Sequence, residues 1–249
     1  MLVAMMQPSF MPWLGYFELI LRAERFIFLD DFQYSIQSYH QRNRLFVNRG
    51  QVDWYTVPIS KSNSLSFPLN ETRINEATPW RKKQWTRIEQ NYSKAPFYST
   101  VAPELKRWYF SQSSSLATQN IELIMLLCSL MGIEREFLFS SDYPSNSKRS
   151  ERVLELLQWS EASKYLCARG SFSYMKEDGL FPIKDVMVDF QNFAPKEYVQ
   201  VGSPQEFIPY LSALDALMNT GIEGTLNLIE AGTSSWTSWD EMCGTVKVI

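Results

Sequence analysis

Two short apolar runs near the start of the chain flank a stretch with helical spacing. The run Val3 to Met6 stops at Gln7-Pro8, and proline cannot donate a hydrogen bond to a sheet, so a strand should end there. Apolar residues then recur from Leu14 to Leu21 at helical spacing. A second continuous apolar run, Phe26 to Leu29, stops at the acids Asp30-Asp31. This order predicts the opening of a mostly parallel α/β sheet.

The rest of the chain continues the pattern around one interruption. Strands at 45–47 and 52–59, with a turn at 48–51 in which Gly50 takes a positive φ, predict a β-hairpin. The Ser- and Asn-rich segment 61–75 predicts a surface loop that could close over a ligand. Helical spacing then predicts helices at 80–92, 102–110 and 116–131. Further strands are predicted at 136–140, 164–167 and 186–191, and helices from about 150 and at 172–178, 211–218 and 225–230.

These elements together predict a fold class. We expect a single α/β domain over residues 1–249, with a mostly parallel Rossmann-like sheet, a β-hairpin and a largely helical insert at about 76–132. From Gly232 onwards no periodicity predicts an element.

Composition narrows the class of protein. Hydrophobic residues make up 45% of the chain and aromatic residues 14%, which is enough for a well-packed core. The formal net charge of -3 argues against a broad nucleic-acid interface. The apolar run 121–131 is too short to cross a bilayer, and no basic region precedes an apolar one at the N-terminus. We therefore expect a cytoplasmic protein without nucleic-acid binding or membrane insertion.

Ligands of parallel sheets bind beyond the carboxyl ends of the strands, where polar and aromatic residues of this chain should gather. The pair Asp30-Asp31 at the end of a strand could bind a cation, act as a base or accept hydrogen bonds from sugar hydroxyls. Alternatively, it could simply cap a loop or a helix. Adjacent residues on an extended chain point to opposite sides, so one acid should face the ligand, and we favour Asp31. The predicted site residues here are Gln7, Trp13, Tyr16, Asp30, Asp31, Gln33 and Tyr34.

Basic residues provide two candidate anion sites. Arg42 and Arg44 are two residues apart on a predicted strand, so they share a side and suit a diphosphate or carboxylate, while Asn43 faces away. A salt bridge to the nearby acids is the alternative. Lys148 and Arg152 lie near a predicted helix start, which also favours anions.

The single histidine, His40, is the obvious residue for acid-base catalysis near pH 7. Three cysteines, Cys128, Cys167 and Cys243, are far apart and include no Cys-x-x-Cys pair, so we expect no metal site. Cys167 is a weak candidate nucleophile, because no neighbour in sequence would lower its pKa. The sequence identifies no cofactor.

Several stretches resemble a known family. MQPSFMPWLGYFELI, FIFLDDFQYS, QRNRLFVNRG and WYTVPI are similar to the WbqC-like protein family, and FLFSSDYPSNSKRSERVLELL and QEFIPYLSALDALMNTG extend the likeness over nearly the whole chain. That family is encoded in bacterial O-antigen and other surface-polysaccharide gene clusters. The resemblance implies this pathway and supports a role for at least one of Asp30 and Asp31. Histidine is not characteristic of the family at His40, and CARGSFSYM departs from the family pattern around Tyr174.

Three functions remain open. The first is a transferase in surface-polysaccharide biosynthesis that acylates or aminoacylates the amine of a nucleotide-linked amino sugar, with an acyl carrier protein as a possible partner. Arg42 and Arg44 would hold diphosphate, and Asp31 or His40 would take the amine's proton. The second is nucleotidyl transfer, with Gly15-Tyr16 where His-x-Gly-His enzymes have Gly-His. The third is a noncatalytic scaffold in a biosynthetic complex.

Overall fold

The computed structural model describes residues 1–47, 50–60, 67–113, 115–201 and 206–245. Its central element is a six-stranded sheet in the order β5-β2-β1-β6-β7-β8, in which only the edge strand β8 runs antiparallel to its neighbour. The strands are β1 (Leu2–Met6), β2 (Arg25–Phe28), β5 (Glu136–Phe139), β6 (Lys164–Cys167), β7 (Met187–Phe190) and β8 (Thr237–Ser238). The predicted fold class, a mostly parallel α/β sheet, is confirmed.

Helices cover both faces of this sheet. They are α1 (Leu14–Arg22), α2 (Trp80–Tyr92), α3 (Tyr98–Phe110), α4 (Leu116–Leu130), α5 (Arg149–Trp159), α6 (Phe172–Asp178), α7 (Ala213–Gly232) and α8 (Trp239–Thr245). Alternation along β1 explains the two layers: Ala4 faces the core shared with α1 and α7, while Val3 and Met5 face the core shared with α5 and α6. No helix in the described ranges is long and apolar enough to span a membrane.

The hairpin is formed by β3 (Arg42–Val47) and β4 (Gln51–Thr56), outside the central sheet. Gly50 has the predicted positive φ, of 91°, whereas residues 48 and 49 of the turn lie outside the described residues. The first strand begins three residues before the predicted position 45, because Arg42 pairs with Thr56 in the antiparallel register. Residues 61–66 of the predicted loop 61–75 are also outside the described part of the chain.

The helical insert contains α2, α3 and α4, as the sequence predicts. Helix α2 has the predicted bounds, but α3 begins at Tyr98 rather than 102 and carries Pro103 in its interior. The sequence favoured a start just before Pro103, since proline is common in the first helical turn. The longer helix instead follows from packing, because Val101, Ala102 and Leu105 are all buried.

Two features near the C-terminus differ from expectation. Strand β8 and helix α8 occupy the segment for which no periodicity was visible, and they form because Trp239 packs on Phe190 and Phe172. Helix α7 contains a break at Gly221, where φ is 71° and ψ is -171°, so the two helices predicted here follow one another across a kink.

Replacing Gly221 tests whether this kink is built into the fold. A Cβ at this position would lie 2.7 Å from the ring of Phe97, and residues other than glycine rarely adopt this backbone conformation. We expect Gly221→Ala to lower the free energy of unfolding by about 2 kcal/mol, measured by urea denaturation. Gly170→Ala is the matched control, because no atom lies within 4 Å of its added Cβ. Equal stability of the two variants would contradict the assigned role of Gly221.

Candidate functional site

A cleft of about 1020 Å³ opens at the carboxyl end of the parallel sheet. Strands β2 and β5 lie on one side of β1, and β6 and β7 lie on the other, so the strand order reverses between β1 and β6. Such a reversal is the position at which open α/β sheets bind ligands. The cleft is lined by Met5, Met6, Gln7, Ser9, Leu29, Asp31, Phe32, Gln33, Ser35, Ser38, Tyr39, His40, Pro68, Ser145, Asn146, Ser147, Lys148, Arg149, Arg152, Tyr165, Ser171 and Tyr174.

The predicted site residues divide into two groups. Those that line the cleft are Gln7, Asp31, Gln33, His40, Lys148 and Arg152. Those that lie elsewhere are Trp13, Tyr16, Asp30, Tyr34, Arg42, Asn43 and Arg44. Side chains with hydroxyl or amide groups share the cleft wall with apolar ones, and one acid and three cationic residues also line it.

The paired acids do not point to opposite sides, contrary to the sequence argument. Residues 30 and 31 are in a turn rather than an extended strand, and both carboxylates lie within hydrogen-bond distance of the hydroxyl of Ser140, whose single proton they share. Asp30 also accepts from the backbone N–H and the hydroxyl of Ser141, at 3.0 and 2.7 Å. Asp30 thus ties the segment after β5 to the end of β2, and Asp31 alone of the pair lines the cleft.

Arg152 joins this network from the first turn of α5. Its side chain is only 3% exposed, and its guanidinium donates to Asp31 Oδ2 at 3.1 Å and to the carbonyl of Ser140 at 2.8 Å. A buried cation requires such partners, because burial removes its hydration. Arg152 therefore neutralises Asp31 and positions it at the cleft wall.

Lys148 and Arg149 provide positive charge at the mouth of the cleft. Arg149 is paired with Glu177 and Asp178 on α6, at 2.7 and 2.8 Å, so most of its charge is compensated. Lys148 is exposed, and within the described ranges no acid is close enough to form an ion pair with it. Its ammonium group is the basic group of the cleft that is free to meet an anionic ligand.

His40 is buried, with 7% of its surface exposed, and its ring contacts two polar groups. The backbone N–H of Ser35 donates to Nδ1 at 3.3 Å, and Nε2 lies 2.8 Å from Oε1 of Gln7. Burial lowers the pKa of His40 to about 4, which keeps the imidazole neutral at pH 7. Both ring nitrogens are occupied, so this geometry does not present His40 as a free base.

The predicted aromatic wall has a structural role. Tyr16 is fully buried beneath β1, where its hydroxyl donates to the carbonyl of Gln7 at 3.3 Å and where burial raises its pKa. Trp13 packs against Phe193 and Tyr210, at ring-centroid distances of 5.1 and 5.5 Å. Neither ring contributes to the cleft surface.

The hairpin residues lie beside the cleft rather than in it. Asn43, predicted to face away from Arg42 and Arg44, is buried and donates to the carbonyl of Met11 at 2.7 Å. The guanidinium groups of Arg42 and Arg44 lie 4.3 and 6.0 Å from the ring centroid of Trp54. Their Nε atoms have no hydrogen-bond partner among the described residues.

The sequence did not predict several residues of the site. Tyr165 lines the cleft from within β6, and no sequence pattern separates it from the apolar residues of that strand. The hydroxyl of Ser140 links both acids, which no sequence pattern indicates. Cys167 is buried, and burial raises the pKa of its thiol, so it is not poised as a nucleophile. Among the described residues, no group of three or more His, Cys, Asp or Glu side chains is arranged to hold a metal ion.

The fold and the cleft define an α/β protein with a polar site at the switch point of a parallel sheet. The model of the WbqC-like protein family matches residues 7–226. The chain is also 32% identical to the uncharacterized protein Rv1507c of Mycobacterium tuberculosis (strain ATCC 25618 / H37Rv) over 222 residues, which cover 89% of this chain and 94% of that protein. No solved structure matches. This chain belongs to the WbqC-like protein family.

The neutral state of His40 predicts a pH dependence of stability. Its pKa is about 4 in the folded protein and about 6.5 when exposed, so below pH 6.5 the unfolded chain binds a proton that the folded chain does not. Stability is therefore full above pH 6.5 and decreases as the pH falls towards 4. Between pH 7 and pH 5 we expect a loss of about 2 kcal/mol from this residue, measured by urea unfolding.

The His40→Phe variant supplies the control for this measurement. The chain has one histidine, so this variant should lose the histidine contribution to the slope and keep only that of the carboxylates. An identical decrease in both proteins between pH 7 and pH 5 would show that His40 is not buried in the neutral form.

Proposed function

We propose that this protein is a transferase of bacterial surface-polysaccharide biosynthesis that acylates or aminoacylates the amine of a nucleotide-linked amino sugar. The observation that carries the proposal is the cleft at the switch point, which combines hydroxyl and amide side chains with one acid and a free lysine. Hydroxyls and amides exchange hydrogen bonds with a sugar ring, and a lysine suits a phosphate. Family membership supports the choice of pathway.

The cleft offers a distinct position for each part of such a substrate. Ser9, Gln33, Ser35 and Ser38 line the cleft, and their hydroxyl and amide groups suit the sugar hydroxyls. Lys148 stands at the mouth, which suits the diphosphate. Tyr39 lines the cleft, and its ring centroid lies 5.9 Å from that of Trp54. The guanidinium of Arg42 lies 4.3 Å from the same Trp54 ring. Arg42, and Arg44 two residues further along β3, therefore extend the anion-binding surface beyond the rim of the cleft.

Asp31 is the group that we propose accepts the proton of the sugar ammonium. Loss of that proton leaves a lone pair on the nitrogen, which then attacks the carbonyl carbon of an acyl thioester. A C–N bond forms, the C–S bond breaks, one of the two protons left on the nitrogen passes to the thiolate to give a thiol, and the other stays on the amide nitrogen. The thioester would come from coenzyme A or from an acyl carrier protein. Arg152 holds the Asp31 carboxylate in place for the first step.

The alternatives gain less support from the geometry. Nucleotidyl transfer would need the Gly15-Tyr16 pair near the phosphates, and Tyr16 is buried beneath β1 outside the cleft. A noncatalytic scaffold would bind its ligand without turnover, and it would not need the carboxylate of Asp31 in the cleft. Neither alternative accounts for the combination of Asp31 and Lys148 at one site.

A ligand panel tests the proposal. UDP-glucosamine, ATP with magnesium, and acetyl coenzyme A are each added while thermal unfolding is followed. A ligand at a hundred times its dissociation constant adds about 2.7 kcal/mol, or about 5 to 10 °C for a chain of this size. We expect UDP-glucosamine to stabilise the wild-type protein. Lys148→Ala should weaken that binding about tenfold, because one charge-assisted contact is lost.

The control and the adverse results are equally specific. Lys82→Ala removes an exposed lysine of α2 that does not line the cleft, and it should leave binding unchanged. Stabilisation by ATP alone would favour nucleotidyl transfer. Stabilisation by UDP-glucosamine without formation of an N-acyl product in the presence of the thioester would favour the scaffold.

A further inference from the structure

The position of a single backbone amide determines how two side chains of the cleft are oriented. The N–H of Ser35 points at His40 Nδ1, with 3.3 Å between the two nitrogens. A backbone amide can only donate, so Nδ1 must accept, and in a neutral imidazole the proton is then on Nε2. The buried environment of the ring, which lowers the His40 pKa to about 4, supports the neutral form.

The orientation of the Gln7 amide follows from that proton. His40 Nε2 lies 2.8 Å from the Gln7 side chain, and a protonated Nε2 can only donate. The Gln7 atom that faces it must therefore be the carbonyl oxygen, Oε1. The amide nitrogen of Gln7 is consequently turned away from His40, and it makes no hydrogen bond to any described residue.

Hydrogen bonds from two further residues, Asn120 and Phe10, hold the backbone segments that carry these side chains. The amide of Asn120, on α4 of the helical insert, donates to the carbonyls of both Pro8 and His40, at 2.9 and 2.7 Å. The N–H of Phe10 donates to the carbonyl of Tyr39 at 2.9 Å. Asn120 is completely buried, so the segment after β1 and the loop that carries His40 are fixed relative to each other.

We propose that His40 is a positioning residue that locks the Gln7 side-chain amide with its N–H groups facing the cleft, where they bind an acceptor oxygen of the substrate. This acceptor is a sugar hydroxyl or the carbonyl of the acyl donor, and an ammonium group is excluded because both partners would be donors. The substrate half of the proposal rests on the proposed function. The orientation of the amide does not.

The single histidine makes the orientation directly measurable. Protein labelled with ¹⁵N only in histidine gives one pair of ring-nitrogen signals, with no need for assignment. We expect a protonated Nε2, an unprotonated Nδ1 and no titration until the pH approaches about 4. A protonated Nδ1, a mixture of tautomers or a titration near 6.5 would overturn the proposal. Among the described residues, the ionisable side chains that face this region are Tyr34, with its ring centroid 6.2 Å from that of His40, and Asp31 and Tyr39, which line the same cleft.

The Gln7→Glu variant separates the two faces of the amide. One carboxylate oxygen can still accept from Nε2–H, so the tautomer should be unchanged, while the His40 pKa should rise beside the new charge. The outward N–H donors become an acceptor, so binding of UDP-glucosamine or acetyl coenzyme A should weaken at least tenfold. The probe whose binding is lost identifies the source of the acceptor oxygen.

Gln37→Glu is the matched control, because it adds the same charge at an exposed residue of the loop that carries His40, outside the cleft lining. Equal binding by the Gln7→Glu variant and the wild-type protein would overturn the role of the amide. If neither probe stabilises the wild-type protein, the proposed function and the oxygen ligand both fail. A single Nε2–H tautomer would in that case still establish the orientation of Gln7.

Discussion

The hydrogen bonds of Ser140 with the two acids after β2 hold the functional end of this protein together. Ser140 follows β5, its hydroxyl donates towards Asp30 and Asp31, and its carbonyl accepts from Arg152 of α5. The carboxyl ends of two strands and the start of a helix thus meet at one residue. Every polar group of this network is buried or half-buried and partnered, which is the condition under which such groups stabilise a fold.

This network also determines the charge of the cleft. Because Arg152 is paired with Asp31, and Arg149 with two acids of α6, two of the three bases are already neutralised. Lys148 remains available at the mouth of the cleft. The resulting site is mildly polar rather than strongly basic, which suits a sugar with a small number of phosphates better than a polyanion. The slightly acidic chain as a whole is in keeping with that preference.

The helical insert contributes to the site indirectly. Asn120 reaches from α4 to the backbone on both sides of the Gln7 and His40 pair, and Tyr92 of α2 donates to the buried Asp215 of α7 at 2.8 Å. These contacts connect the insert to the segment after β1, to the loop that carries His40 and to α7. Rigid support of this kind fixes the direction of side chains that bind a ligand.

The sequence by itself determined the parallel strands and most of the helices, and it predicted a site at the carboxyl ends of the strands. Buried strands, α2 and the polar residues after β1 and β2 are visible because apolar periodicity is local and each residue is compared only with its near neighbours. Only the tertiary structure decided which polar side chains line the cleft and which stabilise the fold. Asp31 and Arg152 are 121 positions apart, and Trp13 packs against Phe193 and Tyr210, which are also distant in sequence. Partner choice depends on such long-range contacts, which periodicity does not encode.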